Sequence, residues 1–105
     1  MQSPTFADLG VSKPVVHALS ARGIEAPFAI QSLVIGDVLA GRDVLAKSPT
    51  GSGKTLAFAI PMIERIEPGR GPAALVLAPT RELAAQIVEQ SQPLARVKRL
   101  EVAAV

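Results

Sequence analysis

The segment Gly51-Ser52-Gly53-Lys54-Thr55 constrains this 105-residue chain more than any other part of it. Glycines at 51 and 53 let a backbone wrap closely around an anion, where a Cβ would clash or strain the turn. The apolar residues before it predict a short buried strand over 44–46, and the pattern after it predicts a helix from Lys54 to about Ile66. A loop placed so aims main-chain N–H groups at a phosphate, and the helix dipole adds to the attraction. Lys54 then brings a point charge to the β- and γ-phosphates, and the Thr55 hydroxyl can ligate Mg²⁺. The full pattern G-x-x-x-x-G-K-[ST] begins here at Ser48, a small residue in place of Gly, and Pro49 removes one backbone donor. Ser48, Pro49, Thr50, Gly51, Ser52, Gly53, Lys54 and Thr55 are thus the candidate nucleotide-binding residues. Lys54 and Thr55 are also the catalytic candidates, and Thr55 the metal ligand. A glycine-bearing turn without a ligand is the plainer alternative, but it leaves the Lys-Thr pair and the flanking elements unexplained.

The other elements follow from caps and periodicity. Residues 1–11 read as an extended lead-in. Ser12 is a plausible N-cap, with Pro14 in the first turn and Gly23 just past the end of a first helix. Val15, Val16, Leu19 and Ile24 give it one apolar stripe. A second helix is expected from about Ile30 to Ala40, stopped by Gly41. Pro61 should kink the helix after the glycine loop. Residues 67–72 form an exposed loop, and residues 73–78 a strand apolar on both faces, as a central parallel strand must be. A helix is expected from Arg81 to about Gln92, with Pro93 disturbing its end, and a third strand over 101–105. From residue 44 the order is strand–helix–strand–helix–strand, which means βαβ units on a parallel sheet. Closing on a buried strand is expected of a fragment of a longer protein. The division expected is residues 1–40, an N-terminal helical region, and residues 41–105, a βαβαβ half-domain.

Composition narrows the classes. With 49% hydrophobic residues but only Phe6, Phe28 and Phe58 as aromatics, the core must be built from Ala, Val, Leu and Ile. The absence of cysteine excludes disulfide scaffolds and thiolate metal sites, and fits a reducing, cytoplasmic setting. No uninterrupted apolar run approaches the roughly 20 residues that span a bilayer, so no membrane partner is expected. Nor does the N-terminus read as a secretory signal. A net charge of +2 says little about partners, and Arg96, Lys98 and Arg99 read first as a solvated face.

Two further segments carry chemistry. Gly23-Ile24-Glu25-Ala26-Pro27-Phe28-Ala29-Ile30-Gln31 ends in an amide that can read the N6 and N7 edge of adenine bidentately. Phe6, upstream, offers a face on which a base can stack. Taken alone, Gln31 reads as a polar residue in the first turn of a helix and Phe6 as a core plug. Pro79-Thr80-Arg81-Glu82-Leu83-Ala84-Ala85-Gln86 follows the second strand. Thr80 can cap the next helix, but Leu83 cannot reciprocate, so only a simple cap is available. Thr80 and Arg81 at a helix N-terminus also suit a sugar–phosphate backbone, with capping and solvation the plainer reading.

In this order, the three segments resemble the DEAD-box helicase family. Phe6 and the stretch through Ile24, Pro27 and Gln31 resemble its adenine-specifying Q motif. Ser48 to Thr55 resembles its Walker A motif, where Ala is usual at the position of Ser48. Pro79, Thr80, Arg81 and Glu82 belong to a run that resembles its first RNA-contacting motif. Phe28 and Ala29 depart from the small-then-Pro pair common before Ile-Gln. The resemblance implies a P-loop (RecA-like) α/β fold, here incomplete, with a parallel sheet flanked by helices. It implies ATP and Mg²⁺ as cofactors and RNA as partner, in a parent enzyme that hydrolyses ATP. No Asp occurs after Asp43, so the family's Asp-Glu-Ala-Asp motif is absent from this sequence, as are its second domain and arginine fingers. By itself the chain is therefore expected to be inactive in RNA-stimulated ATP turnover. The alternative is a stand-alone nucleotide-binding module that self-associates through an open C-terminal strand guarded only by Glu101. A kinase-type P-loop protein is a distant third, leaving the other two segments unexplained.

Overall fold

The computed structural model describes residues 4–44, 54–69 and 74–104. Four helices carry it: α1 (Lys13–Ala21), α2 (Ala29–Leu39), α3 (Lys54–Arg65) and α4 (Arg81–Val97). Helix α3 packs most extensively against α2 and also against α4, and α1 closes on α4. One core joins them, built from Phe6, Val15, Leu19, Ile35, Ile60 and Leu94 among others. Residues before and after position 40 thus share a single core.

The helices stop for a common reason. After α1, Gly23 stands at φ 79°, its N–H donates to the Ser20 carbonyl, and Ile24 N–H donates to Leu19. After α2, Gly41 at φ 85° and Arg42 repeat the pattern onto Val38 and Asp37. This paired closure satisfies carbonyls that the last turn would orphan, and its left-handed residue favours glycine. After α4 the same two bonds form, Arg99 to Arg96 and Leu100 to Ala95, but Arg99 takes the left-handed place at φ 61°.

Several expectations are corrected. Helix α4 does not end at Gln92 but runs through Pro93 to Val97. Proline removes one N–H bond and crowds the preceding turn, and that cost is outweighed because Leu94 and Ala95 are buried in the core. Helix α3, by contrast, runs through a buried Pro61 to Arg65, close to the expected span. The lead-in is not extended, for residues 6–10 form turns, closed by N–H bonds from Leu9 and Val11 to the Phe6 carbonyl. Ser12 does stand at the N-cap of α1, but its side chain makes no capping bond. Its hydroxyl and its N–H both donate to Glu64 Oε1, at 2.7 and 3.0 Å. Lys98 pairs with Oε2 of the same carboxylate at 3.6 Å, so Glu64 ties the ends of α1, α3 and α4 together. Lys98 is therefore not simply part of a solvated basic face.

The expected parallel sheet is not formed among the described residues. Residues 74–78 and 101–104 carry no ladder, and Val44, expected at the start of a buried strand, is 39% exposed. Parallel strands are stable when helices cover both faces. Here Leu75 and Leu77 are 84% and 85% exposed, so that condition is unmet.

The turn before α1 yields a pH prediction. Thr5 N–H donates to Asp8 Oδ2 at 2.9 Å, and Asp8 N–H donates to Thr5 Oγ1 at 3.1 Å. The backbone bond from Thr5, then its side-chain bond, hold the exposed Asp8 carboxyl below the usual 3.8. A folded-state value below the unfolded one contributes stability that is present above the unfolded value and lost as pH falls through the folded one. The melting temperature advantage of the chain over Asp8→Ala should therefore shrink only below about pH 4. An NMR titration that puts the Asp8 midpoint at or above 3.8 would contradict this.

Candidate functional site

Helix α2 is apolar except at Gln31, Ser32 and Asp37. Its first turn is held from within. Phe28 N–H donates to Gln31 Oε1 at 2.9 Å, while Phe28 at the cap position has no side-chain acceptor to give in return. Gln31 is 2% exposed.

Packing of α2 on α3 brings this amide to the start of α3. Gln31, Lys54 and Thr55 line one cleft of about 1440 Å³, with Ile24 and Phe28 on its wall and Leu83 of α4 beyond. Lys54 is exposed at the first position of α3, and Thr55 is half-buried. The first turn of any helix has N–H groups without intrahelical partners, and these favour an anion. The cleft thus joins an amide that can read a base to a cation and a helix N-terminus that can hold phosphates. Ser48, Pro49, Thr50, Gly51, Ser52 and Gly53 lie outside the described residues.

Other sequence candidates sort differently. Phe6 is 2% exposed and packs in the core. Pro27 is half-buried, between Ala26 and Phe28, which line the cleft. Pro79, Thr80, Arg81 and Glu82 stand exposed at the head of α4. Thr80 Oγ1 accepts the Leu83 N–H at 3.1 Å, the simple cap that the sequence allows. The hydroxyl can still donate outward, and the Arg81 side chain is exposed beside it. Arg22, which sequence reasoning passed over, lines the cleft and donates to the Gln90 carbonyl at 3.0 Å, clasping α4 to the end of α1. Phe28, the departure from the family pattern, also lines the cleft and is 57% exposed. Among the described residues no cluster of three or more His, Cys, Asp or Glu could hold a metal, and no helix is long and apolar enough to cross a membrane. Thr55 offers Mg²⁺ one hydroxyl, which suits an ion that takes most of its ligands from phosphates and water.

The sequence model of the DEAD/DEAH box helicase family matches residues 28–105. The chain is 49% identical over 96 residues to the RNA helicase CrhR of Synechocystis, covering 91% of this chain and 20% of that one. It is 51% identical over 86 residues to the ATP-dependent RNA helicase DeaD of Escherichia coli K12, covering 81% of this chain and 14% of that one. Among solved structures, a DEAD box protein from the hyperthermophile Methanococcus jannaschii superposes with a TM-score of 0.84 at 38% identity, covering 90% of this chain and 26% of that one. Saccharomyces cerevisiae Dbp5 bound to RNA and ADP BeF3 superposes at 0.84 with 33% identity, covering 90% of this chain and 25% of that one. The chain thus spans about a quarter or less of each of these relatives.

Proposed function

Because the chain belongs to the DEAD/DEAH box helicase family, we propose that it is the ATP-binding N-terminal part of an ATP-dependent RNA helicase. The whole protein would couple ATP hydrolysis to RNA unwinding or remodelling. One observation carries this reading: a single cleft is lined by Gln31, Lys54 and Thr55, from two helices and two separate sequence motifs.

Each residue has a distinct task. The Gln31 amide donates to and accepts from the adenine edge, while Ile24 and Pro27 shape the wall beside it. Lys54 and the N–H groups of the Ser48–Thr55 loop hold the phosphates, and the Thr55 hydroxyl offers a ligand to Mg²⁺. Bound Mg²⁺ would neutralise charge on the terminal phosphates. At the head of α4, Pro79, Thr80, Arg81 and Glu82 meet the RNA sugar–phosphate backbone, Arg81 supplying the cation. In the whole protein the segments at 44–46, 73–78 and 101–105 pair as the parallel sheet of a RecA-like domain, working in the cytoplasm. A second reading, a self-associating nucleotide-binding module, draws on the bare Leu75 and Leu77 and the unpaired residues 101–104.

The base preference tests the first reading. A bidentate contact discriminates by about 1–3 kcal/mol. ADP should therefore bind more tightly than GDP by that margin in calorimetry, and Gln31→Ala should shrink the gap. Equal affinities for the two nucleotides, in a folded chain, would remove adenine reading by Gln31.

A further inference from the structure

The far end of α4 carries a hollow of about 520 Å³, lined among others by Gln92, Arg96, Arg99, Leu100 and Glu101. Arg96, Arg99 and Glu101 are exposed there, and among the described residues none of these three side chains has a hydrogen bond or an ion pair. Lys98, the third cation of this stretch, is paired with Glu64 instead. Arg96 stands in the last turn, where a cation suits the negative end of the helix dipole. Arg99 stands past that end at φ 61°, in the place that Gly23 and Gly41 fill after α1 and α2. A Cβ strains the backbone there, and glycine would close the helix better. The dipole acts only within the last turn, so it does not offset that strain. The fold alone gives no reason for a guanidinium at this position.

We propose that this hollow is a second RNA site, where Arg96 and Arg99 hold backbone phosphates and the Glu101 carboxylate accepts a hydrogen bond from a neighbouring ribose 2′-hydroxyl. This rests on the RNA-helicase reading above. Two guanidiniums without carboxylate partners are free to take phosphate oxygens bidentately. Glu101 decides the class of ligand. A carboxylate beside the anion weakens a site for free phosphate or for an acidic peptide, but a ribose offers it a donor, one that DNA lacks. The hollow is also separate from the head of α4. Arg81 and Arg96 are roughly 22 Å apart at about 1.5 Å of rise per residue. Two exposed carboxylates, Glu82 and Glu89, lie on α4 between them. The hollow therefore takes a different stretch of backbone from the one met by Thr80 and Arg81.

The test is a titration of the chain with a fluorescently labelled single-stranded RNA at several salt concentrations. For a single strand each phosphate contact contributes about 0.7 to the fall of log affinity with log salt. Arg96→Gln and Arg99→Gly should each reduce that slope by about this amount. Arg99→Gly should also melt slightly above the parent chain, because glycine relieves the left-handed position. Affinity and stability then move in opposite directions, which a merely structural role for Arg99 would not produce. Lys13→Ala removes an equal charge from the exposed head of α1 and should leave the slope unchanged. Glu101→Ala should narrow the gap in affinity between RNA and DNA of one sequence. Parental slopes in Arg96→Gln and Arg99→Gly, with a lower one in Arg81→Ala, overturn the proposal and leave the helicase reading intact. An equal drop in Lys13→Ala also overturns it, since net charge alone would then be at work. If polyglutamate binds the chain as tightly as RNA of equal charge, and loses that binding in Arg99→Gly, the hollow is a site for an acidic peptide and not for RNA. Failure of the unmodified chain to bind any RNA removes the RNA part of the earlier reading, and this one with it.

Discussion

Lys54→Ala is expected to weaken ATP binding by about 2 kcal/mol or more, roughly a thirtyfold rise in Kd. Lys54 is exposed in the free chain, so water reaches its charge before binding. An exposed ion pair is worth little, but a phosphate seated at the head of α3 excludes much of that water, and the contact becomes charge-assisted and partly desolvated. Folding pulls the other way. Ala is the best helix former, and a cation in the first turn opposes the helix dipole, so the substitution should leave α3 as stable or slightly more so. Reduced affinity with an undiminished melting temperature would therefore separate a binding role from a structural one. The measurement is calorimetry with ATP and Mg²⁺, alongside a thermal melt of the free chain. Unchanged affinity in Lys54→Ala would remove the phosphate-loop assignment.

What could be read beforehand and what could not differ in range. Helix starts and stops are local, and Gly23, Gly41 and Thr80 announce them within a few residues. They end α1 and α2 and begin α4 where the sequence places them. Arg99 carries out the same left-handed closure without the glycine that would have signalled it. Partners distant in sequence leave no local trace. Nothing near Ser12 indicates that its hydroxyl will turn to Glu64, 52 residues away, rather than cap its own helix. The two readings of Phe6, base platform or core plug, differ only in what surrounds the ring, which periodicity does not report. At Gln31 and Lys54 the motifs fixed residue identities, but only the packing of α2 on α3 places them on one cleft. The strand segments are expected from apolar runs alone, and no ladder forms there among the described residues. Such a run states a need for cover on both faces, and does not say what supplies it.

Leu94→Ala should cost about 2–5 kcal/mol of folding stability, the range for removing a buried leucine and leaving a cavity that neighbours fill only in part. Leu94 is fully buried, in the part of the core where α4 meets α1 and α3. It is also the residue that explains why α4 continues past Pro93. Proline in a helix interior costs about 3 kcal/mol, comparable to the 1.5–3 kcal/mol gained by burying one leucine, and Ala95 and the Lys98–Glu64 pair add to the favourable side. Removing the Leu94 side chain subtracts from that balance twice, through the cavity and through the weakened hold on the last turn. The better helix propensity of Ala returns only a few tenths of a kcal/mol. Small domains have about 5–15 kcal/mol in total, so the loss is a large share. Leu33→Ala is the control, since Leu33 is 71% exposed on α2 and its truncation should stay within about 0.5 kcal/mol. With no Trp or Tyr in the chain, urea unfolding is best followed by far-ultraviolet circular dichroism. A Leu94→Ala chain that unfolds at the same urea concentration as the parent would mean that the turn after Pro93 is not packed on the core. The helix would then stop near Gln92, where the sequence pattern alone had ended it.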